Sequence, residues 1–177
     1  MVMGPYRHEL FPVYPDKFFL LEQTLLELQN ARLLKWVVPT KAEPTPVDVY
    51  ELFDNNGVRV VATLDRQRGW VSSVFALHNF TGRRAQFHFL GRPKYFGKMM
   101  RWVGKEGLDQ IFRYFNIETL WSEIPITNRL ILKLAKDVGF TEIGVLTNAF
   151  NFVNTEDGKF NTVDGVVIQM NKDEIRW

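Results

Sequence analysis

The chain has 177 residues, 46% of them hydrophobic and 14% aromatic, with 22 Lys and Arg against 20 Asp and Glu. Such a composition excludes a disordered chain, and no run approaches the ~18 uncharged apolar residues of a membrane-spanning helix, so no membrane partner is expected. The absence of Cys excludes disulfides, thiolate-bound zinc and Cys nucleophiles, and the charged, Pro-containing start lacks a signal-peptide apolar stretch, so a cytoplasmic location is expected.

Asp16 is placed to cap a helix running to about Ala31, with Phe19, Leu20, Leu25, Leu26 and Leu28 as a broad apolar face. A short strand is expected over Leu33 to Val38, then an extended loop through Lys41-Ala-Glu-Pro-Thr-Pro46. Val47 to Phe53 and Val58 to Leu64 read as strands, joined at Asn55-Asn56-Gly57 by a hairpin turn. Trp70 to Leu77 is the third strand, and Arg84 to Leu90 alternates as the fourth.

The apolar period then lengthens. Phe96, Met100, Val103, Gly107, Ile111 and Phe115 recur at helical spacing, and Gly104 and Gly107 suit close packing on a sheet. Glu118 to Ile124 is a strand ended by Pro125. Thr127 or Asn128 caps a helix to Val138, which Gly139 stops. Strands over Glu142 to Leu146, Ala149 to Val153 and Val163 to Met170 complete the chain, with a turn at Asp157-Gly158. The order of elements predicts an α/β (α+β) domain with a mixed sheet. A strand-linked GxGxxG, a GxxxxGK[ST], a G-x-S-x-G and an H-E-x-x-H are all absent from the sequence.

The small net charge of +2 hides a segregation. Arg66 to Lys105 carries nine basic residues and no acid, which leaves a net −7 on the rest. The densest part is Phe87-His-Phe-Leu-Gly-Arg-Pro-Lys-Tyr-Phe-Gly-Lys98, where a strand runs through a glycine-containing loop into a helix. Free N–H groups and the positive end of a helix dipole favour a phosphate there, assisted by Arg92, Lys94, Lys98 and Arg101.

This arrangement resembles the GNAT superfamily of acyl-CoA-dependent N-acyltransferases, especially the branch that acetylates ribosomal-protein N-termini. That family's Q/R-x-x-G-x-G/A phosphate loop is matched by Lys94-Tyr-Phe-Gly97-Lys-Met99. The branch's helix-start Asn and later Gly-Phe are matched by Asn128 and Gly139-Phe140, and its GF-x-x-x-G strand by Gly139-Phe-Thr-Glu-Ile-Gly-Val-Leu146. Asp157-Gly-Lys and Val163-Asp-Gly-Val-Val-Ile-Gln-Met170 are similar to the closing hairpin. The resemblance covers residues 47–170, which leaves 1–46 as a variable N-terminal region of the same domain.

The resemblance implies a mostly antiparallel sheet whose fourth and fifth strands splay, with the pantetheine arm of acetyl-CoA bonded to main chain near Phe89 and Leu90. It implies a pyrophosphate on the N–H groups spanning Lys94, Tyr95, Phe96, Gly97, Lys98 and Met99, with Asn128 reaching the cofactor from the next helix. Transfer to an amine acceptor needs a proton acceptor and a means of stabilising the oxyanion. His88 and Glu123 are the candidates beside the splay, and Ser122 is a possible donor to the departing thiolate. No metal is expected. Met99, Ile131 and Ala135 stand where the family usually has Gly or Ala, Ser and a Tyr acid. A second expectation is therefore a catalytically inactive GNAT-like assembly protein, for instance a bacteriophage virion component, with a homo-oligomeric or assembly partner. Nucleic-acid binding ranks last, because no recognised motif accompanies the basic residues.

Overall fold

The structure is a computed structural model and describes residues 8–55, 57–95, 97–153 and 157–175. Its centre is a seven-stranded sheet in the order β1-β2-β3-β4-β5-β7-β6. The strands are β1 (His8–Val13), β2 (Arg59–Asp65), β3 (Trp70–Thr81), β4 (Arg84–Gly91), β5 (Thr119–Pro125), β6 (Thr141–Val153) and β7 (Phe160–Asn171). All neighbours are antiparallel except β4 and β5. The expected mixed sheet of an α/β fold is therefore present, although β1, an edge strand containing Pro12, was not expected.

Helices cover both faces. On one lie α1 (Glu22–Asn30) and α2 (Pro46–Asn55), over Val60, Ala62, Val71, Val74, Ala76 and Leu90. On the other lie α3 (Lys98–Tyr114) and α4 (Arg129–Val138), over Phe75, Leu77, Ala85, Phe87, Leu120, Ile124 and Ile168. Side chains alternate across the pleat, so His88 and Leu90 face the α1 side while Phe87 and Phe89 face α3 and α4. Gly107 of α3 lies directly over the sheet, where an added Cβ would stand 2.5 Å from the Phe75 ring. Gly104 faces Val138 of α4 at an ordinary 3.6 Å. Close sheet packing therefore explains the first glycine and not the second.

Three expected elements are corrected. Val47 to Phe53 is helical: Thr45 and Asp48 bond reciprocally at the start of α2, with Thr45 N–H donating to Asp48 Oδ2 at 2.7 Å, and Pro46 opens the helix. Val49 and Phe53, one turn apart, are the residues it buries. There is accordingly no hairpin at Asn55 to Gly57. Gly57, at φ 59°, ends the helix, and Val58 N–H donates back to the Phe53 carbonyl. Asn56 lies outside the described residues. The segment Leu33 to Val38 is a 3-10 turn over Leu34–Trp36 that buries Leu34.

The helix expected from Asp16 forms in two parts, a 3-10 stretch over Pro15–Leu21 followed by α1. The two strands expected over residues 142–153 are one, β6, bent by register shifts where Asn148 takes φ 55°. That bend lets Phe152 meet Trp36 edge-on at 5.3 Å, while Val153 N–H donates to the Pro39 carbonyl.

Candidate active site

The parallel pairing of β4 with β5 covers only Arg84↔Thr119, Ala85↔Leu120 and Gln86↔Trp121. Beyond that point β5 stays bonded to β7 as far as Pro125↔Gly165, and β4 stays bonded to β3 as far as Gly91↔Ser73. The two strands diverge, and a cleft of about 130 Å³ opens between them. Its walls include Phe89, Leu90, His88, Ser122, Glu123 and Asn128.

Continuing the register from Gln86↔Trp121 by two residues sets His88 opposite Glu123, on the same face, across the open gap. His88 Nε2 lies 2.9 Å from Nε2 of His78, and the two rings stack with centroids 5.0 Å apart. Only one ring can donate in that contact, so the pair does not hold two imidazolium ions. The protein mass around the cleft pushes His88 down to about 4, with repulsion from His78 as the second cause. His88 is exposed to water, which screens part of that effect. Burial also lowers His78, against a hydrogen bond to Asn79 that favours the charged ring. Both rings are thus neutral at pH 7.

Asn128 is 8% exposed and caps α4, its side chain accepting from Ile131 N–H at 3.4 Å. Ile131 and Ala135 complete that wall without a hydroxyl. A second cavity of about 160 Å³ adjoins the first through their shared residues Leu130, Ile131 and Leu134. It lies at the N-terminus of α3, lined also by Gly97, Arg101 and Lys133. Gly97 caps this helix at φ 94°, and nothing stands within 4 Å of where a Cβ would be. The position offers helical N–H groups beside the Lys133 ammonium and the Arg101 guanidinium, whose Nη1 lies 3.7 Å from Oδ2 of Asp137 on the same cavity wall.

The remaining loop residues have other neighbours. Arg92 is 1% exposed, and its Nε donates to Glu27 Oε2 at 2.6 Å while Nη2 donates to Oε1. Nη1 reaches the Val71 carbonyl at 3.3 Å. The bond from Arg92 holds the Glu27 carboxyl below its usual range. Lys94 lies over the Trp70 ring, 3.0 Å from its centroid, and burial followed by Arg92 lowers its pKa. Tyr95 is 1% exposed, accepts from Trp70 Nε1 at 2.6 Å and donates to Asp65 Oδ2 at 2.8 Å. Met99 packs against this same cluster and lines neither cavity. Phe96 lies outside the described residues, and α3 begins at Lys98.

The structure thus brings His88, Phe89, Leu90, Glu123 and Asn128 into one cleft, sets Gly97 and Arg101 around the adjoining cavity, gathers Arg92, Lys94 and Tyr95 around Trp70, and packs Met99 on the cluster of Tyr95, Met100 and Val103. The sequence reading missed Lys133, the His78 partner, and an apolar wall of Leu28, Leu33, Trp36 and Val37. The hairpin alternation of β3 and β4 carried the signal for His78. The wall gave none, because residues 1–46 resembled nothing. Among the described residues, no group of three or more His, Asp or Glu is placed to hold a metal ion, and no helix is long and apolar enough to cross a membrane.

A mostly antiparallel seven-stranded sheet with a splayed parallel β4–β5 pair is a GNAT-like fold, and solved structures share it across nearly the whole chain. An acetyltransferase of the GNAT family from Bacillus anthracis superposes with a TM-score of 0.70 at 12% identity, covering 98% of this chain and 100% of its own. Spermidine N-acetyltransferase from Vibrio cholerae, solved with CoA and spermine, gives 0.69 at 19% identity, covering 95% and 97%. Ribosomal-protein-S5-alanine acetyltransferase from Vibrio fischeri gives 0.67 at 14% identity, covering 99% and 98%. No protein-family model and no curated protein matches the sequence.

Proposed function

We propose that this protein is an acyl-CoA-dependent N-acyltransferase that moves an acetyl group from acetyl-CoA to an amine by direct attack. The observation that carries this reading is the end of β4–β5 pairing at Gln86↔Trp121, which frees the β5-facing edge of β4 from Phe87 onward beside a cleft that adjoins the cavity at the α3 N-terminus. A pantetheine arm is a chain of amides, and it requires an unpaired strand edge between apolar walls. The diphosphate requires helical N–H groups and cations, which Gly97, Arg101 and Lys133 supply at one end.

The cofactor then enters from the α3–α4 side, and the acceptor amine reaches the thioester from the α1 side. His88 takes the proton from the attacking nitrogen, as a neutral imidazole on the acceptor face. Its Nε2 hands a proton to His78, so the charge is passed away from the reacting centre. Glu123 attracts the incoming ammonium and holds it opposite His88. Asn128 borders the cofactor half and keeps α4 in place through its cap. Ser122, buried on the α3–α4 face, is the nearest hydroxyl for the departing thiolate.

Isothermal titration with acetyl-CoA and CoA tests the assignment. The expected result is saturable binding that weakens in Arg101→Ala and with added salt. No heat and no thermal shift at saturating ligand overturns it.

A further inference from the structure

The acceptor half of the cleft has a composition that selects among amines. Leu28, Leu33, Trp36 and Val37 come from α1 and the turn after it, and Leu90 comes from the floor. Among the described residues lining the cleft, Glu123 is the one acid, and no Lys or Arg joins it. Outside the lining, Lys35 Nζ stands 5.4 Å from the centroid of the Trp36 ring, and the Phe152 ring meets the same indole edge-on.

We infer that the acceptor is a monoamine with an apolar, aromatic or alkyl body, an inference that rests on the acyltransferase reading above. One carboxylate balances one ammonium. A polyamine brings at least one further charge into apolar walls, where the lining offers no second acid to meet it. A peptide amino terminus carries one charge but also amide groups. Leu28, Leu33, Val37 and Leu90 give those amides no side-chain partners, so desolvating them is costly. An aryl or alkyl body loses nothing on entering, and the Trp36 face suits an aromatic ring. Two of the fold neighbours are spermidine and ribosomal-protein acetyltransferases by name, so the fold accepts different amines and the lining decides between them.

The test is a comparison of 2-phenylethylamine, hexylamine, spermidine and an Ala-led hexapeptide with saturating acetyl-CoA, reading the acetylated product by mass spectrometry. The expected result is a kcat/KM for 2-phenylethylamine and hexylamine at least tenfold above those for spermidine and the peptide. Trp36→Ala is expected to raise KM for 2-phenylethylamine about tenfold with little change in kcat, and Trp36→Phe to restore most of the loss. Acetyl-CoA binding is measured in parallel on each variant and reports that the fold is intact. Equal or greater turnover of spermidine or of the peptide overturns the inference and leaves the acyltransferase reading standing. So does acetyl-CoA binding with none of the four amines acetylated. Failure of the wild-type protein to bind acetyl-CoA overturns the acyltransferase reading itself.

Discussion

His78 and His88 share a single Nε2–Nε2 contact of 2.9 Å at the edge of the splayed cleft, so the protonation of one ring is set by the other. In wild type, burial and His78 together hold His88 at about 4. The acid limb of kcat/KM for the acetyl-CoA reaction is therefore expected well below pH 6. In His78→Asn the repulsion is gone while the burial stays, so the limb moves part of the way up toward the ordinary His value of ~6.5. A pH–rate profile reads this directly. A limb that does not move would show that His78 has no electrostatic hold on the His88 ring.

The same depression makes stability pH-dependent. A histidine whose folded pKa lies below its unfolded one binds more protons in the unfolded chain. Its contribution is fully present above about pH 6.5 and is lost as pH falls from there toward 4. Wild-type Tm is expected to drop between pH 7 and pH 5. In His88→Gln the drop is smaller, because the titrating group is gone. Glu27, lowered by its bond from Arg92, loses its contribution as pH falls from the ordinary carboxylate value downward, so its loss falls below the pH 7 to 5 interval. Equal drops in wild type and variant between pH 7 and 5 would remove His88 as the cause.

Gly97 holds φ 94° and ψ −141° at the start of α3, a region that side chains with a Cβ occupy at a cost of about 1–3 kcal/mol. Space is not the obstacle, since no atom stands within 4 Å of a built Cβ. Gly97→Ala is therefore expected to act through the backbone, tilting the first N–H groups of α3 and weakening acetyl-CoA binding by about tenfold or more. The urea midpoint of the variant, measured beside the titration, separates this from a general loss of fold. An unchanged affinity would place the diphosphate elsewhere.

The legible parts of this fold were those governed by local rules. The α4 cap at Asn128, its stop at Gly139, the long α3 period and the β4 alternation each needed only a few neighbouring residues. The β4–β5 splay was legible through a resemblance of motif order, not through any residue pattern of its own. The false strand at Val47 to Phe53 shows how β-branched content misleads: Val47 and Val49 suit a strand, but the Thr45–Asp48 capping pair and Pro46 outweigh them. Arg92 illustrates a different limit. As one basic residue of a loop it looked like a phosphate ligand, whereas its ion-pair partner Glu27 lies 65 positions earlier in α1 and no local pattern links them. The apolar cleft wall of Leu28, Leu33, Trp36 and Val37 shares that limit, since it is assembled only when residues 28–37 fold back over β4.

That Arg92–Glu27 pair is expected to support stability more than ligand binding. Arg92→Met leaves Glu27, 32% exposed, without its bidentate partner and with Lys94 3.9 Å away. Breaking a fully buried pair costs about 3–5 kcal/mol; with one partner in reach of water, about 2–4 kcal/mol is expected. Adding Glu27→Gln removes the stranded charge and should recover part of the loss, a coupling that a double-mutant cycle in urea measures. Strict additivity of the two changes would show that the pair contributes no interaction energy.

Tyr50 in α2 presents the opposite case, a polar atom whose removal should help. Its ring stacks on Phe18 with centroids 5.4 Å apart, and Phe53 meets Phe18 edge-on at 6.2 Å. The hydroxyl is buried with no hydrogen-bond partner among the described residues, and burial, aided by the Glu22 charge, raises its pKa. An unmet buried hydroxyl costs about 1–3 kcal/mol, and Phe keeps the ring while deleting the oxygen. The void left is one oxygen in size, so the packing loss is smaller than the desolvation recovered. Tyr50→Phe is therefore expected to be neutral or stabilising by up to about 1–2 kcal/mol, read as a higher urea midpoint at unchanged m. Destabilisation by more than 1 kcal/mol would mean that the hydroxyl has a bonded water or backbone partner, and Tyr50 would then belong to the polar framework that sets α2 against α1.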